Sequence, residues 1–172
     1  MDLDYVIERL AANATIFESL IKGIATDQAT WKPASDKWSI LEVVNHLYDE
    51  EREDFRQRLQ LVLTDPAMAW PPISPQEWVT TRAYSERDLA QSLDNFLSER
   101  QKSLAWLRTL SFPNLESRHE REAGSLRGGD LLASWLAHDF LHIRQLTRLH
   151  WQYLTANAHP FQSDYAGPWK ES

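Results

Sequence analysis

Ser39-Ile40-Leu41-Glu42-Val43-Val44-Asn45-His46-Leu47 is the stretch on which the fold turns. A serine hydroxyl followed three residues later by a glutamate is a capping box, able to satisfy two orphan amides where a helix begins. Behind it Ile40, Val44, Leu47, Phe55 and Leu59 fall on one stripe at helical spacing. The helix so predicted runs to about Leu63, where Asp65-Pro66 ends it.

Working outward, Leu3, Ile7, Leu10, Ala14, Phe17, Ile21 and Ile24 recur at alternating steps of four and three, the apolar face of a first helix. Gly23 weakens its last turn. On the other side, Thr64 to Tyr84 holds Pro66, Pro71, Pro72 and Pro75 and cannot be one helix. A third helix is predicted to open at Ser85, with Asp88 in its first turn, and to carry Leu89, Leu93, Phe96, Leu104 and Leu107. A polar stretch from Asn114 to Gly129 follows. The fourth helix is predicted over roughly Asp130 to Thr155, with Leu131, Trp135, His138, His142, Leu149 and Tyr153 on one face. The tail after Asn157 reads as irregular. Four amphipathic segments without an alternating strand pattern give an all-α four-helix bundle, expected as a single domain over 1–172. The connections are long for such a bundle, and long loops tend to be functional. Thr64 to Tyr84, rich in proline and tryptophan, is the expected wall or lid of a pocket.

Composition narrows the function classes. Of 172 residues 42% are apolar and 25% charged, which suits a globular chain. The net charge of −7, without a basic block, argues against nucleic-acid binding, which depends on neutralising phosphates. No apolar run approaches the roughly 20 residues of a membrane span, and the Met-Asp-Leu-Asp start lacks signal-peptide features. No membrane association and a cytoplasmic location are therefore expected. There is no cysteine, so a metal must be held by histidine and carboxylate, and any thiol chemistry must use a thiol brought in from outside.

His138 and His142 stand one turn apart on the fourth helix, and both lie on its apolar stripe. A pair so placed is either two core histidines satisfied by a carbonyl or carboxylate, or two ligands of one ion. His46, on the shoulder of the second helix's stripe, supplies a third imidazole. Three histidines converging in a bundle core, with no thiolate available, suit a divalent metal ion with open water positions. Asp49 is one turn from His46, and Glu51 falls on the apolar stripe. Each is either an acceptor or base beside such a site, or a carboxylate of the charged run Asp49–Asp54. Glu50 and Glu53 are read as surface residues, as are His150 and His159. Gln145, one turn beyond His142, is read as lining a pocket or bonding between helices. His119-Glu120-Arg121-Glu122-Ala123 lacks the second histidine of a zincin helix, and no phosphate-binding glycine loop or Gly-x-Ser-x-Gly elbow is present.

Taken together, Trp38-Ser39 through His46-Leu47 to the acidic residues Asp49-Glu50-Glu51, and His138-Asp139 with His142 and Gln145, resemble the helix-two and helix-four signatures of the DinB-like superfamily. Their order and spacing agree across nearly the whole chain. One departure is Arg127-Gly128-Gly129, where members often begin the last helix with a threonine cap. The resemblance implies up-down-down-up topology, frequent homodimers and a three-histidine site for zinc or nickel, here His46, His138 and His142. It further implies a metal-dependent enzyme acting on a small substrate with water or a small-molecule thiol. Characterised relatives include bacillithiol transferases and a mycothiol-dependent isomerase. A non-catalytic metal or small-molecule binding protein of the stress-response kind is the other class. In the enzyme reading, Asp49 or Glu51 accepts the proton.

Overall fold

The computed structural model describes residues 2–170. Asp2 caps α1 (Leu3–Ile21) through its carboxylate, and the helix ends before Gly23, which takes a φ of +81° that a side chain would resist. A five-residue helix that the sequence pattern does not announce, α2 (Thr26–Thr30), lies in the following connection. The capping box forms as read: Glu42 N–H donates to Ser39 Oγ and Ser39 N–H to Glu42 Oε2, opening α3 (Ile40–Glu50). At Glu51–Phe55 the helix widens into a π turn and then continues as α4 (Arg56–Thr64). A π turn takes up one extra residue in a helix, and the binary pattern of apolar and polar residues carries no mark of it.

The proline-rich stretch is broken, as expected, yet Pro75 at its first position starts a short helix, α5 (Pro75–Thr81). The next long helix, α6 (Leu89–Leu107), is capped by Asp88, whose carboxylate accepts from Gln91 N–H at 2.8 Å. Ser85 lies in a preceding 3-10 turn, so the helix starts four residues later than the sequence suggests. The polar stretch forms a two-stranded antiparallel hairpin, β1 (Arg118–His119) with β2 (Leu126–Arg127). The last helix, α7 (Gly128–Asn157), begins earlier than expected: Arg127 N–H donates to Asp130, Gly128 N–H to the Ser117 carbonyl and Gly129 N–H to the Leu115 carbonyl, the latter two at 3.0 Å.

Two apolar clusters show how the helices run. Val6 and Leu10 of α1 pack with Val62, Leu107 and Leu131, whereas Phe17 and Ile21 pack with Ile40, Leu93 and Leu149. The start of α1 therefore meets the ends of α4 and α6 and the start of α7. Its end meets the opposite termini. This is an up-down-down-up four-helix bundle. Between the clusters lies a buried polar layer containing Asn13, Glu51, Arg100 and Asp139, and the histidines stand at its edge.

Candidate metal centre

Two turns into α3, His46 is 6% exposed and tilted against Trp38, with ring centroids 4.9 Å apart. From α7, His138 and His142 reach the same point. The three Nε2 atoms form a near-equilateral triangle: 3.2 Å from His46 to His138, 3.2 Å from His46 to His142 and 3.1 Å between His138 and His142. Gln145 Oε1 lies 2.8 Å from His142 Nδ1. An amide oxygen only accepts, so it holds the His142 proton on Nδ1 and leaves the Nε2 lone pair facing the triangle. Phe55 lies against His138 at 5.0 Å.

Three neutral imidazoles cannot satisfy one another here, because each Nε2 is either a donor or an acceptor and the triangle has three edges. Burial also resists protonating them. It lowers His46 to about 3 and His138 to about 2, the neighbouring His142 adding to both. His142 is lowered by burial as well, against the opposing bond to Gln145. Three neutral imidazoles thus converge through Nε2 at neutral pH, each presenting a lone pair there when its proton sits on Nδ1, as Gln145 arranges for His142. Nitrogens each about 2.0–2.1 Å from a zinc-sized ion lie roughly 2.8–3.0 Å apart at octahedral angles and about 3.3–3.4 Å apart at tetrahedral ones, and the observed separations fall between the two. The observed triangle fits. Among the described residues, this is the one group of three or more histidine or acidic side chains placed to hold a metal, and no fourth protein ligand joins it.

A cavity of about 380 Å³ opens over the triangle, lined by Asp36, Lys37, Trp38, Gln76 and Gln145 with His46 and His142. Cavities of about 310 and 400 Å³ flank it and share Lys37 and Trp38. Gln76, Val79 and Thr80 come from the proline-rich stretch, which is therefore a wall, as expected. Its tryptophans do not line these cavities. Trp78 is buried beneath the Arg82 guanidinium at 3.9 Å, and Trp70 stacks on His119 at 4.3 Å. The aromatic surface is Trp38 instead, and its place just before the Ser39 cap was the signal for it.

Asp49 and Glu51 take other positions. Asp49 is fully buried; Oδ1 accepts from Arg52 at 2.9 Å, and Oδ2 accepts from the Tyr84 hydroxyl at 2.5 Å and pairs with Arg82 at 2.7 Å. Glu51 accepts from Arg100 Nε and Trp135 Nε1, both at 2.9 Å. Arg100 also grips Asp139 at 2.7 and 2.8 Å, and Asn13 donates to Asp139 at 3.1 Å. Burial works against the Arg100 charge, but Glu51 and Asp139 outweigh it and raise its pKa. Neither Asp49 nor Glu51 lines the cavity over the histidines. Arg100 escaped the sequence reading although it sits on the third helix's stripe, between Phe96 and Leu104.

Glu50 departs from the surface position expected of it, being 5% exposed. Burial, then the adjacent Asp54 carboxylate, raises its pKa well above the ordinary glutamate value. His150 is likewise half-buried, bonded to Gln28 at 2.8 Å and to the Leu20 carbonyl at 2.6 Å.

The sequence matches the DinB superfamily over residues 9–146. Among solved structures, the fold is similar to that of YfiT from Bacillus subtilis, described as a probable metal-dependent hydrolase with an unusual four-helix bundle topology. The TM-score is 0.78 at 20% identity, covering 88% of this chain and 87% of that one. None of the curated proteins matches the chain.

Proposed function

Since the chain belongs to the DinB superfamily, we propose that it is a metal-dependent enzyme in which His46, His138 and His142 hold one divalent ion, zinc or nickel. The observation that carries this is the triangle of three Nε2 atoms beneath an open cavity, with no fourth ligand among the described residues. A binding or storage protein would be better served by a closed, fully coordinated site. When bound, such an ion acidifies a ligated water or thiol and polarises the substrate.

The chain's own groups supply the rest. Gln145 fixes the His142 ring, as outer partners of metal-bound histidines do. Trp38 offers a flat apolar wall beside the reacting position, and Lys37, Gln76 and Gln145 give the polar contacts that orient a small electrophile. Every Asp49 and Glu51 oxygen is already engaged, so in this reading those carboxylates hold the frame rather than take the reaction's proton.

Hydrolysis by water is the simplest outcome, in keeping with the description of the structurally similar protein. Thiol transfer is the second reading. Flanking cavities of about 310 and 400 Å³ leave room for two small molecules, and with no cysteine in the chain the thiol must be one of them. Metal-loaded protein purified without an affinity tag should hydrolyse p-nitrophenyl acetate, or conjugate 1-chloro-2,4-dinitrobenzene with one of cysteine, glutathione, bacillithiol or mycothiol. The metal-free form and His46→Ala should do neither. Rates equal to buffer in folded, metal-loaded protein would leave the binding-protein reading.

A further inference from the structure

The three cavities at the histidine centre share Lys37 and Trp38 but differ in charge. The flank of about 400 Å³ has Asp36, Glu42 and Glu86 in its wall, and the Lys32 ammonium there is held by Glu42 at 2.6 Å. The flank of about 310 Å³ has the Lys37 ammonium, the Arg148 guanidinium and, among the described residues, no carboxylate. Lys37 bonds Asp36 at 2.8 Å, so its charge is partly met from the central cavity. Arg148 is therefore the principal cation of the smaller flank. A guanidinium carries five N–H donors in a fork that fits a carboxylate, so contact with a neighbour still leaves donors for a ligand. The chain as a whole has a net charge of −7 and repels anions, which makes this flank the place where an anion is admitted beside the histidines.

Position on α7 sets the distance. His142, Gln145, Leu149 and Gln152 follow at steps of three, four and three along one face of the helix, with Arg148 three residues beyond Gln145. Gln145 lines both the central cavity and the smaller flank, and it bonds His142 at 2.8 Å, so the two spaces adjoin. At a rise of about 1.5 Å per residue, Arg148 stands roughly 9 Å along the helix from His142. Pro33, Trp38 and Leu149 give the same flank an apolar wall. A positive end, an apolar side and an opening toward the histidines therefore belong to one continuous space.

We propose that the substrate is a small ester or amide with an anionic end. Its scissile carbonyl lies over the histidine triangle, an apolar chain runs along Trp38, and a carboxylate roughly 9 Å away pairs with Arg148. The proposal rests on the metal-enzyme reading above and names the substrate class of that site. Hydrolysis consumes one water, whose oxygen joins the acyl carbon as the bond to the alcohol or amine breaks; that group leaves with one of the water's protons. Arg148 touches neither the nucleophile nor the breaking bond. It is a specificity-determining residue, deciding which substrates are held rather than how fast the bond breaks. The other flank works in the same sense, because a carboxylate directed there would meet Asp36, Glu42 and Glu86.

The test pairs mono-p-nitrophenyl suberate, whose free carboxylate lies at about that span, with its neutral methyl ester. With zinc-loaded protein, kcat/KM should be about tenfold higher for the charged ester, the factor expected of one charge-assisted pair. Arg148→Gln should remove the preference through KM, and Arg148→Glu should reverse it. Arg144→Gln, exposed on the same helix and outside these three cavities, should keep it. A second readout needs no turnover: in calorimetric titration, metal-free protein should bind hexanesulfonate more tightly than hexanol, and R148Q should not. Equal kcat/KM for the two esters, or an R148Q enzyme with the parental preference, overturns the anionic substrate and leaves the metal-enzyme reading intact. If neither ester is turned over but the sulfonate still binds through Arg148, the enzyme reading falls while the anion pocket stands. No turnover and no preference in binding overturn both.

Discussion

At the scale of single residues, the site depends on which nitrogen of each imidazole is free. His142 keeps its Nε2 lone pair because Gln145 occupies Nδ1, and this separates two kinds of damage. His142→Ala removes a ligand, and bound metal should fall from near one per chain to a small fraction, read by elemental analysis of untagged protein. If the variant keeps as much metal as the parent, the three-histidine site is wrong. Gln145→Leu leaves all three ligands but releases the ring, so affinity should drop about 10–100-fold, read by competition with a chelator. Equal affinities would mean that the Gln145 contact is incidental.

At the scale of elements, the buried layer between the apolar clusters joins all four long helical segments through one guanidinium. Arg100 of α6 holds Glu51 at the π turn and Asp139 of α7, and donates to the Leu10 carbonyl of α1 at 3.1 Å. Arg100→Met would leave two buried carboxylates facing each other. Urea unfolding should show a loss of about 3–5 kcal/mol, as for other buried ion pairs broken on one side, whereas a loss under 1 kcal/mol would mean that the layer is not closely coupled. The four long helices and the three histidines were legible in the sequence, because periodicity and i, i+4 spacing are local. The π turn, α5 and the hairpin were not: the first is a one-residue insertion invisible to binary patterning, and the others are too short to build a period. Asp49, Glu50 and Glu51 show the same limit. One charged run holds two carboxylates saturated by donors and a third buried beside another carboxyl, and only the neighbours contributed by Arg52, Tyr84, Arg100, Trp135 and Asp54 tell them apart.

At the scale of the whole molecule, the buried histidines tie stability to pH. In the unfolded chain they titrate near 6.5, whereas burial in the metal-free fold lowers His46 to about 3 and His138 to about 2. Above pH 6.5 neither state holds these protons and the contribution is intact. As pH falls below 6.5, the unfolded chain takes up protons that the folded one refuses, and stability drains by up to about 1.4 kcal/mol per pH unit per histidine. Glu50, whose pKa is raised by burial and by Asp54, adds stability as pH falls over the same range, so the histidine contribution is read as a difference. Between pH 7 and pH 5 the melting temperature of metal-free His138→Phe should fall less, or rise more, than that of the parent, and equal slopes in calorimetry would contradict the burial argument. The placement of the ligands also bears on biosynthesis. His46 and His138 are 92 positions apart, and the latter stands on the last long helix. While the ribosome is still making the first three helices, two of the three ligands do not exist. In the proposed site the ion therefore could not template the early bundle. It could bind all three histidines only after the last helix is made, and which ion binds would be decided by what the surrounding fluid offers at that moment as well as by intrinsic affinity.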